Sequence, residues 1–91
     1  MHLEIVTPEQ VLFSNEIDVV NVPGVNGEFQ ILNNHAPVVS VLQKGYIKLD
    51  QNTPLKGSVK DKFQEINGKL CFPVDGGVVE LKDNKVIILV D

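Results

Sequence analysis

Ile17-Asp18-Val19-Val20-Asn21-Val22, Pro23-Gly24-Val25-Asn26-Gly27 and Glu28-Phe29-Gln30-Ile31-Leu32 together decide the fold. Two short β-branched runs flank a cluster of Pro, Gly and Asn, which is the pattern of strand, tight turn and strand. Pro23 fixes one φ, and Asn26-Gly27 supplies positive φ at little steric cost. Working outward, runs of the same kind recur at even spacing. They are Leu3 to Val6, Val11 to Phe13, Val38 to Leu42, Tyr46 to Leu49, Lys69 to Val74, Val78 to Leu81 and Val86 to Val90. With the two central runs these make nine candidates, and the class is all-β: a sandwich or barrel of about nine to ten short strands. Leu3 and Ile5 alternate with Glu4, so one face is meant for a core. Asp83-Asn84 joins two further runs at hairpin spacing.

One segment breaks the pattern, an insert over about residues 51–68. Ser58-Val59-Lys60-Asp61 reads as a capping box, and Val59, Phe63 and Ile66 fall at helical spacing, which predicts a short helix around residues 58–66. Asn67-Gly68 then closes the helix or, on the competing reading, turns a hairpin. Asp75-Gly76-Gly77 predicts a tight corner or a close backbone approach. No repeat, linker or low-complexity tract interrupts residues 1–91, so a single domain is expected.

At 91 residues and 10.0 kDa there is room for one modest core, which favours a binding or structural module over an enzyme. Eight basic residues, all lysine, stand against 12 acids, giving −4. An acidic chain without arginine disfavours nucleic acid and anionic membrane surfaces. The longest apolar run, Val86 to Val90, is far short of the ~20 residues of a membrane-spanning helix. The one cysteine, Cys71, has no partner for an internal disulfide and suits a reducing compartment.

Catalytic chemistry finds little material. Only His2 and His35 could serve as histidine bases, and Ser14, Ser40 and Ser58 lack a nucleophile-elbow pattern. Gly24-Val25-Asn26-Gly27 leads into a strand without a following Lys-Ser or Lys-Thr, so it is a turn and not a phosphate cradle. Two distant histidines and one cysteine match no metal-ligand spacing. No catalytic residue, metal or cofactor is expected. Four lysines against Asp61 and Glu65 make the insert locally basic, which suits a solvated surface or an acidic partner face.

Pro23-Gly24-Val25-Asn26-Gly27-Glu28, then Ile31-Leu32-Asn33-Asn34-His35-Ala36-Pro37, then Leu42 and Gly45, resemble the epsilon subunit of the rotary ATP synthase. The likeness extends to Leu3-Glu4-Ile5-Val6-Thr7-Pro8-Glu9, Phe13, Gly76-Gly77-Val78-Val79-Glu80 and Asn84-Lys85-Val86, which is nearly the whole chain outside the insert. It implies a flattened β-sandwich, the N-terminal domain of that subunit, acting as a non-catalytic central-stalk part. That part joins the gamma subunit to the c-ring and so couples proton or sodium flow to ATP synthesis. The same resemblance places Gly27 and Glu28, with Asn33 and Asn34 nearby, toward the c-ring, and Thr7, His35, Ala36 and Leu42 toward gamma. It also implies a peripheral position on the cytoplasmic face of a bacterial inner membrane.

Three departures qualify the likeness. Asn33-Asn34 stands where the family often has Pro-Gly, although asparagine tolerates the left-handed turn. The insert is longer than the family's usual connection. The sequence reads as a short form that ends at Asp91, before the family's C-terminal helical hairpin, so inhibition and nucleotide binding by that hairpin are not carried over. The rival reading is a lipoyl or biotinyl carrier domain, because Asp61-Lys62 resembles a lipoylated turn; such a lysine needs an exposed hairpin tip. A sugar-binding module is set aside, since the chain has no Trp and a single Tyr, Tyr46.

Overall fold

Alternation becomes strand wherever the sequence carries it. In a computed structural model, which describes all residues from Met1 to Asp91, eight strands form in chain order. They are β1 (His2–Val6), β2 (Val11–Glu16), β3 (Val19–Gly24), β4 (Gly27–Leu32), β5 (Val38–Asp50), β6 (Gln64–Ile66), β7 (Lys69–Lys82) and β8 (Lys85–Val90). They hydrogen-bond in the order β2-β1-β8-β7-β5-β3-β4, with β6 added to β7. Only β1 and β8 run parallel; the remaining pairs are antiparallel.

The strand count is lower than expected because two pairs of expected strands are each one long strand. β5 and β7 keep an unbroken register from Val38 opposite Leu81 to Asp50 opposite Lys69. Each therefore belongs to both halves of the sandwich. The first half is β2, β1, β8 and the adjoining ends of β7 and β5; the second is β3, β4, β6 and the opposite ends. Leu3, Ile5, Val79, Leu81, Val86 and Ile88 from the first half meet Val20, Val22, Ile31, Ile47 and Leu49 from the second in one cluster of 19 buried residues. Each large aliphatic side chain taken from water there contributes roughly 1.5–3 kcal/mol before entropy is charged against it.

Two-residue hairpins join three of the strand pairs. Asp83 and Asn84 both take left-handed φ (52° and 59°), and so do Asn67 and Gly68 (51° and 78°), the signature of turns whose twist matches the strands. Between β3 and β4 the tip is Val25-Asn26, with Gly24 opposite Gly27.

The insert departs from the helix predicted over 58–66. Only a 3-10 turn forms, Gly57–Lys62, and Ser58 does not cap it: the preceding residue is Lys56, with no side-chain cap. Phe63 turns extended, and its ring meets Phe13 and Phe72 edge-on at centroid distances of 5.6 and 5.3 Å. Drawing Phe63 into that stack aligns Gln64–Ile66 beside β7 and hands Asn67-Gly68 to the hairpin. The competing hairpin reading of that dipeptide is the one realised.

Asp75-Gly76-Gly77 forms no turn and lies inside β7, in the stretch that passes between the two halves. Its second glycine instead permits a close approach: φ is +156° at Gly77, and a Cβ there would run into the carbonyl of Leu89 on β8. Gly77→Ala is expected to lower the unfolding free energy by about 3 kcal/mol. Gly57→Ala, left-handed but with open space around it, costs about 1 kcal/mol. Urea titrations of the two variants test the difference, and equal midpoints would contradict it.

Candidate protein-interaction site

Register decides which side chains face outward together, and it gives the two halves different outer faces. On the first half, Val41 pairs Val78, Val78 pairs Leu89, Leu89 pairs Val6, and Val6 pairs Val11. Directly opposed residues share a face. Val11, Val41, Val78 and Leu89 are 38–58% exposed, and Val39, one row over, is 69% exposed. Five strands thus line up one continuous apolar row in water. The next residues on four of these strands, Ile5, Leu42, Val79, Ile88 and Val90, point inward and are buried.

The outer face of the second half is polar. Lys48 on β5 sits beside Asn21 on β3, which sits beside Gln30 on β4. Lys48 Nζ lies 2.8 Å from Glu28 Oε1, Asn21 Nδ2 donates to Glu28 Oε2 at 3.0 Å, and Gln30 Nε2 donates to Asn21 Oδ1 at 3.4 Å. An ion pair therefore spans three strands. The hydrogen bond from Lys48, then that from Asn21, holds the Glu28 carboxyl below the ordinary carboxylate range, against a smaller opposing effect of burial. The same bond raises Lys48, again with burial opposing and the charge of Glu28 adding.

The residues expected to face the c-ring are not one patch. Gly27 and Glu28 open β4, while Asn33 and Asn34 follow its end. Four residues, Phe29 to Leu32, lie between the pairs, whose midpoints are roughly 20 Å apart along the extended chain. Asn33 acts as a clasp: its Oδ1 accepts from the Met1 nitrogen at 2.6 Å, and its Nδ2 donates to Asp18 Oδ1 at 3.2 Å. Asn34 keeps the left-handed turn (φ 63°), and its backbone N–H donates to Asn84 Oδ1 at 2.9 Å.

Of the residues expected to face gamma, Thr7 caps the β1–β2 turn, its Oγ1 accepting from the N–H groups of Glu9 and Gln10. It stands directly beyond Val6, at one end of the apolar row. His35 and Ala36 are exposed in the loop that leads into β5, with the Nδ1 of His35 2.7 Å from the Ala36 carbonyl. Leu42 is different: at 3% exposure its side chain belongs to the core, and its neighbour Val41 is the one facing out.

Register also brings together a set that the sequence did not suggest. His2 Nδ1 lies 2.7 Å from Glu16 Oε2, and His2 Nε2 lies 3.0 Å from the Ser14 hydroxyl. The three sit on the open outer face of β1 and β2, where they brace that edge of the sheet. The pairing His2 opposite Glu16 and Glu4 opposite Ser14 was the missing signal. Lys62 ends the 3-10 turn and does not stand at a hairpin tip, so Asp61-Lys62 is not the turn that the carrier reading needs.

The model of the ATP synthase, Delta/Epsilon chain, beta-sandwich domain matches residues 1–91. The chain belongs to that family. It is 39% identical over 89 residues to the ATP synthase epsilon chain of Desulforamulus reducens, covering 98% of this chain and 57% of that one. It is 37% identical to that of Chlorobaculum tepidum, covering 98% and 86%. In fold it is similar to a chain of the Tetrahymena thermophila mitochondrial ATP synthase central stalk and c-ring structure. The TM-score is 0.72 at 19% identity, over 98% of this chain and 61% of that one. No helix of the protein is long and apolar enough to cross a membrane.

For this delta/epsilon-family domain the Glu28–Lys48 pair sets a pH window. Glu28 is lowered, so its contribution to stability is fully present above the ordinary carboxylate value and is lost as pH falls through the lowered one. Lys48 is raised, so its contribution is fully present below the ordinary lysine value and is lost as pH rises through the raised one. A double-mutant cycle of Glu28→Gln and Lys48→Met is expected to show coupling of roughly 0.2–1 kcal/mol at pH 7, small because the pair is solvent-screened. It should vanish in strong acid and shrink with salt.

Proposed function

We propose that residues 1–91 act as one rigid domain in a proton- or sodium-translocating ATP synthase. The domain is a non-catalytic part of the central stalk, joins the gamma subunit to the c-ring, and so couples ion flow to ATP synthesis. It sits peripherally on the cytoplasmic face of a bacterial inner membrane. One observation carries the reading: an apolar row, Val11 to Val41, on one outer face and a charge-paired polar network at Glu28 on the other. A free-standing domain gains nothing from holding large aliphatic side chains in water, and such a row marks a contact surface.

The row takes gamma, because a rotor joint that must not slip needs close apolar packing over a wide area. Thr7 borders that contact at the β1–β2 turn, Val41 supplies the side chain at the position next to Leu42, and His35 and Ala36 edge it where β5 begins. Gly27 and Glu28 meet the polar loops of the c-ring. Asn33 and Asn34, at the far end of β4, hold the fold together. No metal, cofactor or nucleotide is required for this role.

Replacing Val41 by Lys tests the reading. Exposed as it is, the substitution should change stability by no more than about 0.5 kcal/mol. Co-purification with gamma should fall at least about tenfold, the effect of burying an unpaired charge at a contact centre. Full retention of gamma with the fold intact would sink the assignment of this face.

A further inference from the structure

Among the charged side chains of the second outer face, Lys48 is placed for a role that the stalk reading leaves open. We propose that Lys48, with Asn21, is a positioning residue that fixes Glu28 as a charge-compensated hydrogen-bond acceptor for the polar loops of the ring. The inference rests on the reading that Glu28 meets the c-ring.

The geometry supplies the argument. Glu28 is the second residue of β4, close to a hairpin tip whose Val25 is half exposed. A glutamate there, with three free torsions, would lose its rotamer freedom only on meeting a partner. Here the freedom is already lost, because each carboxylate oxygen has one partner: Lys48 on Oε1 and Asn21 on Oε2. The two anchors come from strands fixed by the sheet, Asn21 opposite Lys48 in the β3–β5 register. Directly across from Lys48 on β7 stands Cys71, a buried thiol.

A carboxylate oxygen accepts more than one hydrogen bond, so each retains capacity on the exposed side. What it offers is a fixed acceptor whose charge is already balanced. Such a site takes an uncharged polar loop presenting N–H donors. A basic group would have to displace Lys48 and would make the contact strongly salt-dependent.

The test measures binding of the full chain to the solubilised gamma–c-ring complex and, separately, to gamma alone. Variants are Lys48→Met, Lys48→Arg, Glu28→Gln and the double Lys48→Met/Glu28→Gln. Lys48→Met is expected to weaken ring-dependent binding about fivefold, to steepen its salt dependence, and to move its acid midpoint upward toward the ordinary carboxylate range. Lys48→Arg should restore much of the loss. The double variant should bind like Glu28→Gln alone, since a residue acting through Glu28 has nothing left to position. If Lys48→Met binds as the unaltered chain does while Glu28→Gln is impaired, the positioning role is overturned and the ring contact stands. If neither variant alters ring-dependent binding, the contact of Glu28 with the ring falls, and this inference with it.

Discussion

Everything in this domain hangs on the β5–β7 ladder. Twelve registered pairs, from Val38 with Leu81 to Asp50 with Lys69, run without a bulge through both halves of the sandwich. Because side chains alternate with a period of two, a slip of one residue would turn Leu42 and Val79 to solvent and Val41 and Val78 to the core. The inner side of the ladder fixes its position: Ile47, Leu49, Val79 and Leu81 are all essentially buried. Gly77 then lets β8 cross close by, which sets β8 and, through it, the parallel β1. On the other side Asn21 and Gly24 align β3 with Lys48 and Leu42.

From that one register both outer faces follow, and they differ in kind. The apolar row draws one side chain from each of five strands, so it crosses the whole width of that half on a hydrogen-bonded sheet. A surface of that sort gains from association what it loses by exposure, with little entropy left to surrender, because β-branched valines are already confined at χ1. The polar face is held by another route, cross-strand hydrogen bonds from Gln30 to Asn21 to Glu28 and a charge from β5. Between the two faces lies a close-packed interior, which transmits strain and does not absorb it.

The class, most strands and the hairpin dipeptides were legible because they are local. Leu3 and Ile5 alternate with Glu4, and Asp83-Asn84 is a turn whatever surrounds it. The long strands were read as broken at Gly45 and at Asp75-Gly76-Gly77, since glycine marks a close approach as readily as a turn. Phe63 misled in the insert: its spacing with Val59 suits a helix, and only the three-dimensional neighbours Phe13 and Phe72 pull it into an extended bend. The outer faces were hidden for a different reason. In Val38-Val39-Ser40-Val41-Leu42 and Val86-Ile87-Ile88-Leu89-Val90 both sides of the strand are largely apolar, so the sequence does not say which side meets water. Glu28 and Lys48 are twenty positions apart, and no local pattern joins them.

The Asn33-Asn34 turn shows how a left-handed position can be filled without glycine. Asn34 adopts the left-handed φ that glycine would take, at the cost that asparagine bears best among side-chain residues. In exchange Asn33 gains an oxygen and an amide that a proline lacks, and both are spent inside the molecule, on Met1 and on Asp18. Polar groups already paired within the fold have less to offer a partner, while Glu28 has spare acceptor capacity and stands at the exposed tip. At one end of β4, Asn33 and Asn34 thus tie together Met1, Asp18 ahead of β3 and the β7–β8 turn, while at the other the carboxylate of Glu28 keeps room for further hydrogen bonds.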